Sequence, residues 1–404
     1  MSSYSHRGYE QRSGGYGRRR HKASGFKRKP SGGEAAKGLV TFILIIVLSA
    51  LVFIFIKYLK PFLNSFNDNN SVEAVETLDV ATPDSPDIPV GEFDKVDDKI
   101  FVSNGRGYLM FKGINDTAVN YAATLNSIVS SVDDDIIVYN MVIPTNTEFG
   151  LDGDMSEYTH SQRDNLDKIN SALMDNVVNV DLYKTLDLHS SEYIYYRTDE
   201  SLTSLGAYYI YREFAQTADF APDYIYSIDR LSEKKGSIGR FEGTFIKRTT
   251  DEKIQPHGNQ ELFNNADSID FYKLPVHYNC DSVDIRTGKR TETDLFTTDN
   301  AVIDPLSVFP GKDTELLEIS NEENHNDENL LIVKDHIGEP VIGYLIPAYD
   351  KVYVVDAQLY KQNLSEYIRS NDITQVLILS GIANANNSLY CQRLRDLFDS
   401  STSG

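Results

Sequence analysis

Two stretches of this 404-residue chain gather residue types that look placed for chemistry or ligand binding. The first, Glu192–Ala215, reads EYIYYRTDESLTSLGAYYIYREFA. It carries Arg197, Asp199 and Ser201 between a Tyr-rich, strand-like piece and a helix expected to begin near Thr203 or Ser204. The second, Leu330–Tyr349, reads LLIVKDHIGEPVIGYLIPAY and sets Asp335 and His336 just past a short apolar run. Each also has a plain structural alternative: Asp199 capping the helix near Thr203, His336 as a turn residue.

For these residues to meet, elements must bring them together. Ile136–Ile143, Leu330–Val333, Val352–Val355 and Val376–Leu379 are short, nearly continuous apolar runs of the kind found in strands buried on both faces. Between them lie helix-compatible stretches at Asp116–Val132, Ser161–Asp175, Ser204–Gln216 and Gln362–Asn371. The alternation predicts an α/β domain with a mostly parallel sheet covered on both sides. In such sheets ligands bind in the crevice beyond the strand carboxyl ends, where Asp335 and His336 fall. The segment from about Arg240 to Asp299 breaks the rhythm and is expected to be a mostly β insertion, with Gly243–Arg248 as one of its β pieces.

Other chemistries find little support. The eight histidines lack metal-binding spacing, so no metal is expected. There is no Gly-rich phosphate loop after a strand and no Gly-x-Ser-x-Gly elbow, and no cofactor is expected. The two cysteines, Cys280 and Cys391, could be a disulfide or two separate thiols.

Charge divides the chain. Against 39 Lys+Arg stand 60 Asp+Glu, a net −21. Yet residues 1–37 hold ten basic and two acidic side chains, a local +8, and residues 38–56, GLVTFILIIVLSALVFIFI, hold none. Nineteen residues rising ~1.5 Å each approach the ~30 Å of a bilayer core, with Lys57, Tyr58 and Lys60 as interfacial anchors. Basic residues concentrated before the span orient the N-terminus to the cytoplasm. The expected organisation is a disordered basic cytoplasmic arm (1–37), a transmembrane helix (38–56), an acidic linker (57–89) and an extracytoplasmic domain (90–404). The arm's charges suit anionic lipid headgroups, and no nucleic-acid partner is expected.

At the two candidate stretches the sequence resembles the bacterial DHHW family, named for an Asp-His-His-Trp signature and related to SGNH-hydrolase-like alginate O-acetyltransferase proteins. Tyr195-Tyr196-Arg197-Thr198-Asp199, Thr203 and Gly206-Ala207-Tyr208 resemble the signature region. Leu330–Asp335, Ile346-Pro347-Ala348-Tyr349 and Val354-Val355-Asp356 resemble the segment around the nucleophile. Tyr139–Pro144, Phe241-Glu242-Gly243-Thr244 and Gly311–Ile319 are similar too. The resemblance implies an SGNH-like three-layer α/β/α domain, with Ser, His and Asp transferring or removing O-acetyl groups on a cell-envelope polysaccharide. Where the signature has Asp-His-His-Trp, however, this chain has Asp199-Glu200-Ser201-Leu202, and His336 stands where the nucleophilic Ser follows Asp335.

The resulting expectation is a catalytically degenerate, membrane-anchored domain that binds envelope polysaccharide or serves a membrane-bound acyltransferase. Arg197 and Asp335 are the candidate binding residues beside the degenerate catalytic positions Asp199, Ser201 and His336. The alternatives are an active enzyme with Ser201 and His336 exchanged, and a surface scaffold without a carbohydrate site.

The topology has a direct test. Protease added to intact cells is expected to digest residues 90–404 and spare the arm; digestion of the arm instead would refute the orientation.

Overall fold

A computed structural model describes residues 94–95, 99–151, 158–221, 224–251, 256–298 and 304–399. The expected arm, membrane span and linker all lie outside these residues. Among the described residues no helix is long and apolar enough to cross a membrane.

Thirteen strands are described: β1 Asp94–Lys95, β2 Ile100–Ser103, β3 Arg106–Leu109, β4 Ile137–Ile143, β5 Val177–Val180, β6 Lys235–Phe241, β7 Asp267–Tyr272, β8 Tyr278–Asp284, β9 Lys289–Glu292, β10 Leu316–Asn321, β11 Asn329–Lys334, β12 Lys351–Asp356 and β13 Gln375–Gly381. The main sheet has the order β5-β4-β13-β11-β12-β10-β8-β9. Its first five strands are parallel, with β13 at the centre of that block, and the last three join antiparallel. The fold is therefore α/β with a mostly parallel sheet, as the alternating pattern predicted.

The apolar runs of the strands follow from burial on both faces. In β11, Leu330 and Ile332 enter one hydrophobic cluster while Leu331 and Val333 enter the other. On the first face the sheet is covered by α3 (Tyr183–Leu188), α4 (Ser204–Thr217) and α7 (Glu339–Leu345), through residues such as Leu186, Phe214 and Ile342. On the second it is covered by α1 (Asn115–Val129), α2 (Gln162–Ala172), α8 (Leu364–Ser370) and α9 (Ser388–Phe398), through Leu125, Ile169, Ile368 and Leu394. Cys280 and Cys391 belong to opposite clusters and are free, so no disulfide forms. Burial pushes the Cys280 thiol up to about 12.

The insertion differs from the expectation. Gly243–Arg248 is not a β piece: the segment Thr244–Asp251 is a helix, α5, and α6 (Pro256–Asn264) follows it. The Thr and Asp content suggested extended loops. The Phe245–Ile246 pair instead faces a small core with Ile100 and Val102, and tertiary burial overrides local preference. The β strands of this region then serve two sheets: β6 and β7 form a separate ribbon, while β8 and β9 extend the main one.

At the end of β11 the fully buried Lys334 donates to Glu339 Oε1 at 2.8 Å and to Asp356 Oδ2 at 2.9 Å. This triad ties the carboxyl ends of β11 and β12 to the start of α7, directly beneath the Asp335–His336 turn. Removing the cation would strand two buried carboxylates, so Lys334→Met is expected to lower the unfolding free energy by ~3–5 kcal/mol in urea denaturation. An unchanged midpoint would contradict this account.

Candidate active site

The first site loop is a tight hairpin. Thr203 N–H donates to Ile194 O at 3.0 Å, Tyr196 N–H to Ser201 O at 3.2 Å, and Tyr195 pairs with Leu202 as an isolated antiparallel bridge. The expected Tyr-rich strand is reduced to this bridge. Thr203 ends the hairpin as the N-cap of α4, its hydroxyl accepting from Gly206 N–H at 3.2 Å. Gly206 is required there, because a Cβ would lie 2.3 Å from the Ile194 carbonyl oxygen.

A buried carboxylate from the insertion grips the hairpin. Asp267, the first residue of β7, accepts from Thr198 N–H at 2.9 Å, Thr198 Oγ1 at 2.6 Å and Arg197 N–H at 3.0 Å, and from the Tyr193 hydroxyl. The Arg197 guanidinium lies 3.5 Å from the same carboxylate and over the Tyr193 ring, 4.7 Å from its centre. Arg197 is thus committed to holding the loop rather than open to a ligand.

Asp199 sits at the hairpin tip and is 1% exposed. Its Oδ1 accepts from Ser201 N–H at 3.0 Å and Ser201 Oγ at 2.7 Å. Its Oδ2 accepts from Thr244 N–H at 2.9 Å and Thr244 Oγ1 at 2.8 Å. Asp199 therefore caps a helix, though it is α5 from the insertion rather than the helix after Thr203. Gly243 makes the approach possible: its N–H donates to Thr198 Oγ1 at 3.0 Å, and a Cβ there would lie 2.2 Å from the Thr198 carbonyl oxygen. These contacts give the Phe241–Thr244 motif a physical role.

The second site loop follows β11. Asp335 accepts at Oδ1 from Ile337 N–H at 2.9 Å, and at Oδ2 from Gly381 N–H at 2.7 Å and Asn384 Nδ2 at 2.8 Å. It fastens the turn His336–Gly338 to the end of β13 and is 1% exposed, so its carboxylate is structural as placed here. His336 is a turn residue with a side chain 45% exposed, and its Nε2 lies 3.5 Å from Glu200 Oε1. Partial burial alone would lower the imidazole pKa. The Glu200 hydrogen bond and the charges of Asp335, Glu200 and Glu339 override it and raise the value to about 9.

The structure therefore brings the two loops together through Glu200 and His336, while Ser201 turns its hydroxyl to Asp199. Among the described residues no hydrogen bond joins Ser201 to His336, so the exchanged triad is not formed. A carboxylate offers about four acceptor positions. Ser201 and Thr244 occupy four at Asp199, and none is left to orient an imidazole. Two cavities of about 220 and 430 Å3 are described, and neither is lined by Asp199, Ser201 or His336. Asp267, Thr244 and Glu200 were missed as site residues in the sequence. Glu200 stood inside the altered signature, and the Phe241–Thr244 resemblance pointed at Thr244, but nothing local marked Asp267.

Comparison with known proteins decides the relationship. The family described as DHHW protein matches residues 86–355. The chain belongs to the DHHW family. A search among curated proteins gives no match. Among solved structures, this DHHW chain is similar to a DHHW family protein from Eubacterium siraeum, with 26% identity over 75% of this chain and 98% of that one and a TM-score of 0.65. Bacillus cereus PatB1, in a structure with a sulfonyl adduct, has 14% identity over 74% of this chain and 98% of its own, with a TM-score of 0.55. That is a likeness of fold. The O-acetyltransferase domain of Pseudomonas putida AlgJ matches at 11% identity over 76% of this chain and 98% of that one, with a TM-score of 0.39.

The Glu200–His336 contact predicts a pH response. Because the folded imidazole pKa is raised above its ordinary 6.5, the contribution of the pair to stability is complete below about pH 6.5 and is lost as pH rises through about 9. Glu200→Gln should bring the His336 titration, followed by NMR, back toward 6.5 and flatten the stability profile over that window. An imidazole that titrates unchanged in this variant would refute the pairing.

Proposed function

We propose that this DHHW protein is a non-catalytic accessory in cell-envelope polysaccharide O-acylation, recognising the glycan or a membrane-bound acyltransferase rather than processing an ester. The reading rests on one observation above others. At the family's base position Ser201 places its hydroxyl on Asp199, where an imidazole would otherwise be oriented, and Thr244 fills the remaining oxygen. An acyl-transferring Ser needs a base within hydrogen-bond reach. Here the hydroxyl proton of Ser201 is directed at a saturated carboxylate, and the His336 imidazole is paired with Glu200.

The theme of O-acylation comes from the family's relationship to O-acetyltransferase proteins. The membrane position comes from residues 38–56, which in this reading anchor the domain outside the cell membrane. Recognition by a catalytically silent domain asks for a surface rather than for an activated nucleophile, and the burial of Asp199 and Ser201 is in keeping with that.

The purified full chain in detergent is expected to hydrolyse p-nitrophenyl acetate no faster than buffer and to co-sediment with O-acetylated envelope polysaccharide. Turnover abolished by Asp199→Ala would overturn the non-catalytic reading, and failure to co-sediment would overturn the glycan arm. The double variant Ser201→His with His336→Ser restores the family's residue types at both positions. It is expected to raise hydrolysis by roughly 10²-fold, the usual scale of positioned acid–base catalysis. A folded double variant as inert as its parent would place the loss of activity elsewhere in the site.

A further inference from the structure

Away from the two site loops, the 220 Å3 cavity lies between α2 and the outer edge of the sheet, where β5 pairs, among the described residues, with β4 alone, and α3 supplies the third wall. A chain of buried polar groups ends in it. Tyr390 and Ser380 share a hydrogen bond of 2.9 Å, and the Tyr121 hydroxyl lies 3.2 Å from Ser380 Oγ and 3.1 Å from Asn140 Oδ1. Asn140, fully buried, then donates its Nδ2 to Asn179 Oδ1 at 2.7 Å. The two asparagines are cross-strand partners on β4 and β5. With its carbonyl occupied, Asn179 presents its Nδ2 donor, which has no protein partner among the described residues, at the cavity it lines.

The remaining lining says what that donor could meet. Asn170, Asp181, Asp187 and Lys184 add acceptors and donors, while Val142, Leu166 and Leu182 supply an apolar strip. Three carboxylates, those of Asp167, Asp181 and Asp187, stand against two cations, Arg163 and Lys184, so an anionic ligand is disfavoured. Among the described residues no group of His, Cys, Asp or Glu is arranged to hold a metal ion. Hydroxyls that both donate to carboxylates and accept from amides, on a small ring with an apolar face, match this lining, and the volume suits one such ring.

We propose that this cavity takes a single uncharged or amino sugar ring of a glycan chain, as a subsite separate from Asp199, Ser201 and His336. The proposal rests on the glycan reading given above. Asp181 and Tyr183 follow the carboxyl end of β5, on the same side of the sheet as the His336 turn. Three strand spacings of ~4.8 Å separate β5 from β11, on the order of 14 Å, so a chain seated in the cavity has a short run to the site loops.

The test is a saturation-transfer NMR titration of the full chain with methyl glucoside, glucosamine and methyl glucuronoside. At least one of the first two should bind, and the glucuronoside roughly ten-fold more weakly than the tighter of them. Asn179→Leu removes the presented amide and should weaken binding roughly five- to ten-fold. Because that change also breaks the bond from Asn140, the exposed Asn170→Trp, which fills the cavity from the helix side, serves as the second variant and should weaken binding as much. Glu200→Ala should leave binding intact. Binding lost in Glu200→Ala but kept in both cavity variants would put the sugar at the site loops and overturn the subsite while the glycan reading stands. A chain that co-sediments with polysaccharide yet binds none of the three probes overturns the subsite alone, and one that does neither overturns both. Equal binding of the glucuronoside would overturn the charge argument and with it the proposed ligand class.

Discussion

The site depends on a buried carboxylate that never faces it. Asp267 is held almost out of solvent and survives there because two backbone N–H groups, two hydroxyls and a guanidinium converge on it. A buried charge without such partners costs several kcal/mol, so the hairpin and β7 stabilise each other or neither keeps its place. Through Thr198 the same grip reaches Gly243, and through Gly243 it sets Thr244 against Asp199. The insertion between the hairpin and the central strands is therefore the part of the molecule that fixes the geometry of the hairpin tip.

This arrangement lets the hairpin tip keep its form without an imidazole beside Asp199. Asp199 does not rely on an imidazole for its position, since Thr244 and the backbone of Ser201 hold it. Replacing a ring by a hydroxyl at position 201 leaves a satisfied acceptor rather than an orphaned one, which is the inexpensive way to change a buried polar group. At position 336, the partly exposed imidazole finds Glu200 across the gap. Each altered residue has a partner, and neither leaves a buried defect behind.

The sheet was legible because its strands are buried on both sides: the runs around Val138, Leu331, Val354 and Ile378 each fall in an observed strand, displaced by a residue or two at the ends. The helices were legible where caps and apolar spacing agreed, as at Thr203. The insertion was read poorly. Its helix α5 is fixed by burial of Phe245 and Ile246 against β2, a contact with a strand some 140 positions away that no local pattern reveals. The site was legible to the extent that Asp199, Ser201 and His336 were named, but not how they divide. That depended on Glu200 and Asp267, whose partners come from distant segments.

The order of strands in the main sheet has a consequence for how the chain assembles. β13 is the last strand in sequence, yet it lies between β4 and β11 and completes the parallel block. During synthesis β4 waits beside a gap until residue 381 has emerged, and the hydrogen-bonding edge that β13 fills stays open until then. Parallel pairings between the two ends of a chain are slow to close and expose aggregation-prone edges meanwhile. A nascent domain of this topology cannot close its parallel block piece by piece, and β13 acts as its closing stone.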